Sequence, residues 1–249
     1  MEPYYQDDYV TLFHSDYREA LPAGLRADAV ITDPPYGETS LGWDRWVTDW
    51  PDDMSRITDA MWSFGSMRMF FDNLTQFSQW KYSHEVVWEK HNGSGFAADK
   101  FRRVHEFATL WYRGDWADIR HEVPKVPGAV KRTVRRKERP PHTGEIAGTR
   151  YTSVDGGDLL MRSVIKVRSE HGRAVHPTQK PLAAVSPLIE YSVAPGGLVV
   201  DPFAGSGTTG VVARMLGRRA ILCEAQEQYA EAAAQRLSQQ TFDFAGLEG

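Results

Sequence analysis

The most regular alternation of hydrophobic and polar positions lies in the last third of the chain. A short apolar run at 197–200 predicts a buried strand, and the pattern at 208–216 predicts a helix that Gly217 ends. A second strand is predicted at 219–224, and an alanine-rich helix at 226–240 follows it. Strand, glycine-rich turn, helix, strand and helix in this order are typical of a βαβα unit with parallel strands.

The earlier part of the chain carries further strand patterns. Apolar stretches predict strands at 9–14 and 27–32, and β-branched and aromatic residues predict two more at 85–89 and 105–112. Between 113 and 173 the composition shifts towards proline, glycine and arginine, and the apolar periodicity fades. This change indicates a segment outside the main core, ordered in part or only upon binding.

These patterns predict one large domain with an insertion. The chain has 249 residues, which is enough for such a domain or for two small ones. We expect an α/β fold with a doubly wound, mostly parallel sheet, formed by residues 1–112 and 174–249. Residues 113–173 are then the insertion, and their target-recognition role is a hypothesis.

Charge is distributed unevenly along this acidic chain. The net charge is −4, yet residues 120–141 hold eight Lys/Arg against two Glu, which gives +6 there and leaves −10 elsewhere. Such a local cluster is typical of a protein that touches phosphates along one face, although a solvated surface loop has the same composition. The candidates for phosphate contact in this cluster are Lys131, Arg132, Arg135, Arg136 and Lys137.

Composition also indicates the cellular compartment and whether a metal site is expected. With Cys223 as the only cysteine, no internal disulfide can form, which suits a reducing cytosol. The acidic N-terminus and the lack of a long apolar run predict no secretory signal and no membrane span, so we expect a cytoplasmic protein. The eight histidines lack partners at metal-ligand spacing, and we expect no metal site.

A glycine-rich turn follows the strand at 197–200. In Asp201-Pro-Phe-Ala-Gly-Ser-Gly-Thr-Thr-Gly210, three glycines satisfy the G-x-G-x-x-G pattern, which lets a backbone turn sharply and approach a ligand. Glu224 ends the next strand, where a carboxylate can accept hydrogen bonds from ribose hydroxyls. A tight turn without a ligand is the plain alternative. The combination favours a nucleoside cofactor, with NAD and S-adenosylmethionine both candidates.

The tetrapeptide Asp33-Pro34-Pro35-Tyr36 follows the strand at 27–32 and therefore projects at the carboxyl edge of the sheet. An exocyclic base amine is a poor nucleophile, and acceptors on both N–H bonds would aim its lone pair at a methyl donor. The Asp33 carboxylate and the Pro34 carbonyl are such acceptors. Tyr36 can stack on an extruded base, although a Pro-Pro turn with a core tyrosine is the commoner use of this pattern.

Together the two motifs resemble those of the β class of DNA amino-methyltransferases, the adenine-N6 and cytosine-N4 enzymes. In that class, as in this chain, the Asp-Pro-Pro-Tyr motif comes first and the glycine turn follows near the C-terminus. The segment His176-Pro-Thr-Gln-Lys-Pro181 is a further family motif. The resemblance implies transfer of a methyl group from S-adenosylmethionine to an exocyclic amine in double-stranded DNA. It places Asp33, Pro34, Pro35 and Tyr36 at the target base, and it allows a homodimer.

The resemblance also implies cofactor contacts for the glycine turn and for residues elsewhere in the chain. These are Asp16, Thr178, Lys180, Asp201, Phe203, Ala204, Gly205, Ser206, Gly207, Thr208, Thr209 and Glu224. We further expect Thr178 to cap a helix that includes Pro181, and Pro187 to kink or break that helix.

The substrate is less closely defined. Asp at position 33 favours adenine N6 in this family, and cytosine N4 is the alternative. A nicotinamide oxidoreductase is the alternative from another class, because the glycine pattern and Glu224 alone would suit it. An inactive DNA-binding module and an RNA or protein-amide methyltransferase are further alternatives.

Two residue groups keep open roles. Arg102 and Arg103 either contact phosphate or lie on the surface at a strand end. Trp43, Trp46 and Trp50 recur at helical spacing and either pack in the core or form a lip around an extruded base.

Overall fold

The computed structural model describes residues 1–94, 98–135, 150–170 and 174–239. They form two compact units, a small one of Val123–Arg162 and a large one that comprises the chain up to Glu122 and from Ser163 onward. The predicted insertion, 113–173, is longer than the small unit, since residues 113–122 and 163–170 belong to the large one.

Short and long strands alternate with six helices in the described residues. The strands are β1 (Tyr5–Gln6), β2 (Val10–His14), β3 (Ala29–Thr32), β4 (Ala60–Gly65), β5 (Lys81–Ser94), β6 (Arg103–Tyr112), β7 (Lys125–Pro127), β8 (Thr133–Arg135), β9 (Arg150–Thr152), β10 (Asp158–Leu160), β11 (Val164–Lys166), β12 (Leu198–Asp201) and β13 (Arg219–Glu224). The helices are α1 (Tyr17–Ala20), α2 (Trp50–Met54), α3 (Met67–Asn73), α4 (Leu182–Ser192), α5 (Thr208–Met215) and α6 (Glu227–Ser238). Short 3₁₀ turns lie at Leu74–Phe77 and Trp116–Asp118.

Nine of these strands form one sheet in the large unit, in the order β1-β2-β13-β12-β3-β4-β6-β5-β11. The five central strands, β2, β13, β12, β3 and β4, run parallel, and β6 and β5 continue the sheet as an antiparallel pair. The predicted α/β fold with a mostly parallel sheet is confirmed. The small unit, by contrast, contains two antiparallel pairs, β7 with β10 and β8 with β9.

One strand of the sheet comes from the segment that the sequence places outside the core. β11 pairs in parallel with β5, with Ile165 opposite Trp88. It has three residues, of which only Ile165 is buried, so it is too short to show the alternation that identifies a strand. Composition alone therefore gives no sign that this strand belongs to the sheet.

Two hydrophobic cores lie on the two faces of the sheet. Along β3, Ile31 packs with residues of α4, α5 and α6, whereas its neighbour Val30 packs with residues of α1, α2 and α3. Successive side chains of a strand point to opposite faces, so one buried strand contributes to both cores. The fold is therefore doubly wound.

The start of α4 differs from the expectation. The helix is continuous from Leu182 to Ser192 with Pro187 buried inside it, so the expected break is wrong. Its apolar face, including Val185 and Leu188, packs in the core, and this packing offsets the hydrogen bond that proline lacks. Thr178 does not cap the helix, because Pro181 occupies the cap position without a side-chain hydrogen bond.

Within the described ranges, no helix combines the length and the apolar character needed to cross a membrane.

Candidate active site

The glycine turn lies where β12 gives way to α5, and its backbone requires glycine at two positions. Gly205 and Gly207 have φ of 49° and 70°, in the left-handed region that side chains disfavour. A Cβ on Gly207 would lie 3.1 Å from the Cβ of Ala233 on α6. The turn therefore runs close to α6, and a side chain at position 207 would crowd that helix.

Glu224, at the end of β13, accepts a hydrogen bond from this turn with one carboxylate oxygen and from the start of α6 with the other. Its Oε2 accepts a hydrogen bond from the Gly205 N–H and its Oε1 from the Gln226 N–H, each at 2.8 Å. Burial raises the pKa of Glu224, while these N–H groups oppose the shift. A carboxylate has about four acceptor positions, so two remain for other donors.

Asp201, the first residue of the motif, accepts hydrogen bonds from two later residues of it. The Thr209 hydroxyl donates to Asp201 Oδ2 at 2.7 Å, and the Phe203 N–H donates to Oδ1 at 3.1 Å. Ala204 is buried, and its N–H donates to the Cys223 carbonyl at 2.9 Å. Asp201 thus holds the shape of the turn.

The middle of the turn is held by a residue that the sequence does not single out. Arg236 of α6 donates from Nη1 to the Thr208 hydroxyl at 2.9 Å and to the Ser206 carbonyl at 3.2 Å. Thr208 in turn donates to the backbone carbonyl of Lys180 at 3.1 Å. An arginine in an alanine-rich helix gives no sequence signal for such a contact.

Asp33 lies just past the end of β3 with both carboxylate oxygens engaged. The Tyr36 hydroxyl donates to Oδ1 at 2.6 Å, and the Lys180 ammonium pairs with Oδ2. Burial raises the pKa of Asp33, and the cation of Lys180 opposes this shift. Pro34 is buried beside it, and Pro34 and Pro35 line the same cavity.

A second carboxylate lies close to Lys180. Glu106 of β6 has Oε2 at 3.3 Å from the Lys180 Nζ, and its Oε1 pairs with Lys90 of β5. Burial raises the pKa of Glu106, but the two lysines outweigh it and lower the pKa to about 2. Neither the pairing of Glu106 nor that of Lys180 follows from the sequence.

Three aromatic rings meet near the glycine turn. His176 packs 4.1 Å from the Tyr229 ring and 5.2 Å from the Trp43 ring, measured between centroids. Burial, together with the nearby Lys180, lowers the pKa of His176 to about 4, so its ring is neutral at pH 7. The tryptophan repeat is divided: Trp50 is fully buried in the core, with Trp46 partly buried beside it, whereas Trp43 lines the cavity.

One cavity of about 220 Å³ collects both motifs. Asp33, Pro34 and Tyr36 line it together with Gly205 and Glu224. The other predicted site residues on its wall are Asp16, Pro35, Thr178, Lys180, Asp201, Phe203, Ala204, Ser206, Thr208 and Thr209; Gly207 supports the turn from behind. Because the carboxyl ends of parallel strands meet at one edge, β2, β3, β12 and β13 bring together Asp16, the Asp33 motif, the glycine turn and Glu224.

Three of these wall residues have structural partners of their own. Asp16 caps α1 and accepts from the Arg18 N–H at 2.8 Å. The Thr178 hydroxyl lies 3.1 Å from His176 Nδ1. Phe203 packs edge to face against Trp50, with 5.8 Å between the ring centroids.

Of the predicted phosphate-binding residues, Arg102 and Arg103 belong to the large unit, and neither lines the cavity. Arg102 and Arg103 are exposed at the start of β6, and Arg103 Nη1 lies 3.5 Å from Glu38 Oε2. Lys131 and Arg132 are exposed in the small unit. The side chain of Arg135 and all of Arg136 and Lys137 lie outside the described residues.

Among the residues whose placement is described, no group of three or more His, Cys, Asp or Glu is arranged to hold a metal ion.

Comparisons with known proteins agree on one family. A family model described as DNA methylase matches residues 27–235. The type II methyltransferase M.ScaI of Streptomyces caespitosus is 27% identical over 258 residues, covering 95% of this chain and 84% of that protein.

Two solved structures share the fold. The M1.HpyAVI–SAM complex superposes with a TM-score of 0.63 at 24% identity, covering 92% of this chain and 99% of that one. The PvuII DNA methyltransferase, described as cytosine-N4-specific, superposes with a TM-score of 0.65 at 14% identity, covering 96% of this chain and 90% of that one.

Proposed function

The chain belongs to the DNA methylase family, and from this premise we propose that it transfers the methyl group of S-adenosylmethionine to the exocyclic N6 amine of adenine in double-stranded DNA. Family membership makes it a DNA methyltransferase of the N6/N4 type. The nicotinamide oxidoreductase, which the glycine pattern left open, is not supported by this match and is abandoned.

The observation that carries the proposal is the common cavity. Asp33 of the first motif and Glu224 beside the glycine turn line one space, although they are far apart in the chain. Methyl transfer to an amine needs an acceptor for the amine next to the donor of the methyl group. A site with only one of the two motifs would hold either the amine or the methyl donor, but not the two together.

The cavity suits S-adenosylmethionine by its donor set. The left-handed glycines allow close approach to the backbone, and Glu224 retains acceptor positions for ribose hydroxyls. The rings of Phe203 and Tyr229 offer apolar surface for a nucleoside. When bound, S-adenosylmethionine supplies a methyl group activated by its positive sulfonium.

The residues of the first motif act on the target amine. Asp33 accepts a hydrogen bond from one amine N–H, and the Pro34 carbonyl accepts from the other, which leaves the nitrogen lone pair free. Tyr36 stacks on the extruded base, and its hydroxyl, bonded to Asp33, keeps the ring beside the carboxylate. Aspartate at this position is the basis for choosing adenine over cytosine, by resemblance to the family.

DNA is held by basic residues outside the cavity. β6 runs antiparallel to β4, so Arg102 and Arg103 lie at the sheet edge where β4 ends, the edge that also carries Asp33. The small unit, Val123–Arg162, is proposed to read the target sequence, with Lys131 and Arg132 on phosphates. Arg135, Arg136 and Lys137 are assigned the same role from the sequence alone.

The product of the reaction decides the proposal. Unmodified plasmid DNA is incubated with the protein and S-adenosylmethionine, and the digested nucleosides are identified by mass spectrometry. We expect N6-methyldeoxyadenosine; N4-methyldeoxycytidine instead would overturn the choice of base, and no methylated nucleoside would overturn the activity. Binding of S-adenosylhomocysteine, measured by calorimetry, confirms that the protein used is folded and competent.

The variant Asp33→Ala isolates the amine-binding step. We expect it to lose methyl transfer while S-adenosylhomocysteine binding persists, because the carboxylate acts on the target amine. Asp8→Ala changes an exposed aspartate and serves as the matched control. Methylation by Asp33→Ala at the wild-type rate would remove Asp33 from the mechanism.

A further inference from the structure

Lys180 is a buried lysine, and part of its surrounding is apolar. Its side chain is 7% exposed, and its Nζ lies 5.2 Å from the centre of the Phe64 ring. A buried ammonium is stable only when anions pair with it, because burial removes the water that stabilises an isolated charge. The role of Lys180 therefore depends on which anions pair with it.

Those partners are two carboxylates on different strands. Lys180 pairs with Asp33 past the end of β3 and with Glu106 on β6, and Lys90 completes the group from β5. The two carboxylates and the two ammonium groups together carry no net charge. If Lys180 turned away to bind a cofactor carboxylate, Asp33 would lose its cation, and the balance would break.

The backbone of Lys180 takes part as well. Its carbonyl accepts the hydroxyl of Thr208 in the glycine turn. The residue therefore connects three parts of the site: the Asp33 motif, the β5–β6 pair and the glycine turn. Burial lowers the pKa of Lys180, but Asp33 and then Glu106 outweigh it and raise the pKa, so the ammonium persists at pH 7.

We propose that Lys180 is a positioning residue for Asp33, held in place by Glu106, rather than a ligand of the cofactor. This inference rests on the proposed function and extends it. The ammonium fixes the Oδ2 side of the carboxylate, while the Tyr36 hydroxyl fixes the Oδ1 side. The carboxylate then has one orientation for receiving an amine instead of several.

The test separates turnover from cofactor affinity. Lys180→Met removes the charge and keeps the length of the side chain, and Lys180→Arg keeps the charge. We expect Lys180→Met to lower kcat by roughly 100-fold, the scale of a misplaced catalytic group. Its affinity for S-adenosylhomocysteine, measured by calorimetry, should stay within about threefold of wild type. Lys180→Arg should recover part of the lost kcat.

Lys166→Met is the matched control, because Lys166 is an exposed lysine that also pairs with a glutamate, on the edge strand β11. It should leave kcat and cofactor affinity unchanged. A weakened S-adenosylhomocysteine affinity with normal kcat in Lys180→Met would overturn the proposal and make Lys180 a cofactor ligand. A wild-type protein without methyl transfer would instead refute the proposed function itself.

A second variant keeps the inference testable if Lys180→Met fails to fold. Glu106→Gln preserves shape while it removes one partner of Lys180. We expect kcat to fall by about tenfold with unchanged S-adenosylhomocysteine affinity, because Lys180 is less firmly held. Wild-type kcat in Glu106→Gln would show that Glu106 does not position Lys180.

Discussion

The hydroxyl of Thr32 donates a hydrogen bond to Asp201 Oδ1 at 2.8 Å, across 169 residues of chain. Thr32 is the last residue of β3 and Asp201 the last of β12, and both are buried. One side-chain bond therefore joins the strand that carries the amine-binding motif to the strand that carries the glycine turn. It extends the pairing of β3 and β12 to the ends of the two strands, where the two halves of the site begin.

The first prediction concerns the pH dependence of this bond. Burial raises the pKa of Asp201 from 3.8 to about 6, against the hydrogen bonds from Thr209, Thr32 and the Phe203 N–H. Because the folded pKa is the higher one, the contribution of Asp201 to stability is fully present below pH 3.8 and is lost as the pH rises through 6. Lowering the pH from about 7 to about 5 should therefore stabilise the wild type by about 1 kcal/mol relative to Asp201→Asn.

Urea unfolding of both proteins at the two pH values measures this difference. Asp201→Asn cannot titrate, so every other titrating group cancels in the comparison. If the free energies of unfolding of the two proteins change in parallel, Asp201 is not the titrating group.

The second prediction concerns Glu224. In Glu224→Gln an NH2 group, which cannot accept a hydrogen bond, replaces one carboxylate oxygen. The N–H groups of Gly205 and Gln226 and the ribose hydroxyls must then share the one remaining oxygen. We expect the affinity for S-adenosylmethionine to fall by about tenfold, the loss of one charge-assisted hydrogen bond. Calorimetry gives the Kd, and kcat at saturating cofactor should change little.

Glu227→Gln is the control for Glu224, because Glu227 is an exposed glutamate at the start of α6. Its Kd should match that of the wild type. If Glu224→Gln also bound S-adenosylmethionine with wild-type affinity, the assignment of Glu224 to the ribose would be wrong.

A third prediction follows from the aromatic group at the glycine turn. Trp43 packs on His176 and lies 6.1 Å from the Tyr229 ring, on the cavity wall. Trp43→Ala should open the cavity beside His176 and Tyr229 and weaken S-adenosylhomocysteine binding by several-fold, because one aromatic contact contributes roughly 1 kcal/mol. Trp43→Phe should retain most of the affinity. Equal Kd values for wild type and Trp43→Ala would place Trp43 outside the cofactor site.

The fourth prediction concerns the exposed arginines at the start of β6. If Arg102 and Arg103 each neutralise a phosphate, the double variant to alanine should weaken DNA binding and lower the slope of log K against log salt by about 2. Stability should hardly change, because an exposed pair such as Arg103–Glu38 contributes little. Fluorescence anisotropy with a labelled duplex at several salt concentrations measures the slope.

Arg26→Ala supplies the control for that experiment. Arg26 is 57% exposed on its side chain and precedes β3, so it lies at the amino end of that strand, away from Asp33. It should keep the wild-type salt slope. A double variant with the same slope as Arg26→Ala would show that Arg102 and Arg103 do not contact phosphate.

Much of the fold could be predicted because its signals are local. Arg219–Glu224 has the bounds that its apolar pattern predicts, and the glycine turn lies between the expected strand and helix. β11 escaped prediction, since three residues with a single buried position carry no period. Its place in the sheet depends on β5, which is distant in the chain.

The site, like the fold, has features that the sequence predicts and features that depend on tertiary contacts. The sequence by itself determined the family, the two motifs and the carboxyl edge at which they lie, because residue type and spacing are local properties. Only the tertiary structure decided that Lys180 pairs with Asp33 and Glu106, and that Arg236 holds the glycine turn. The physical reason is that the order of strands in the sheet, and not the distance along the chain, sets which buried charges must meet and neutralise one another.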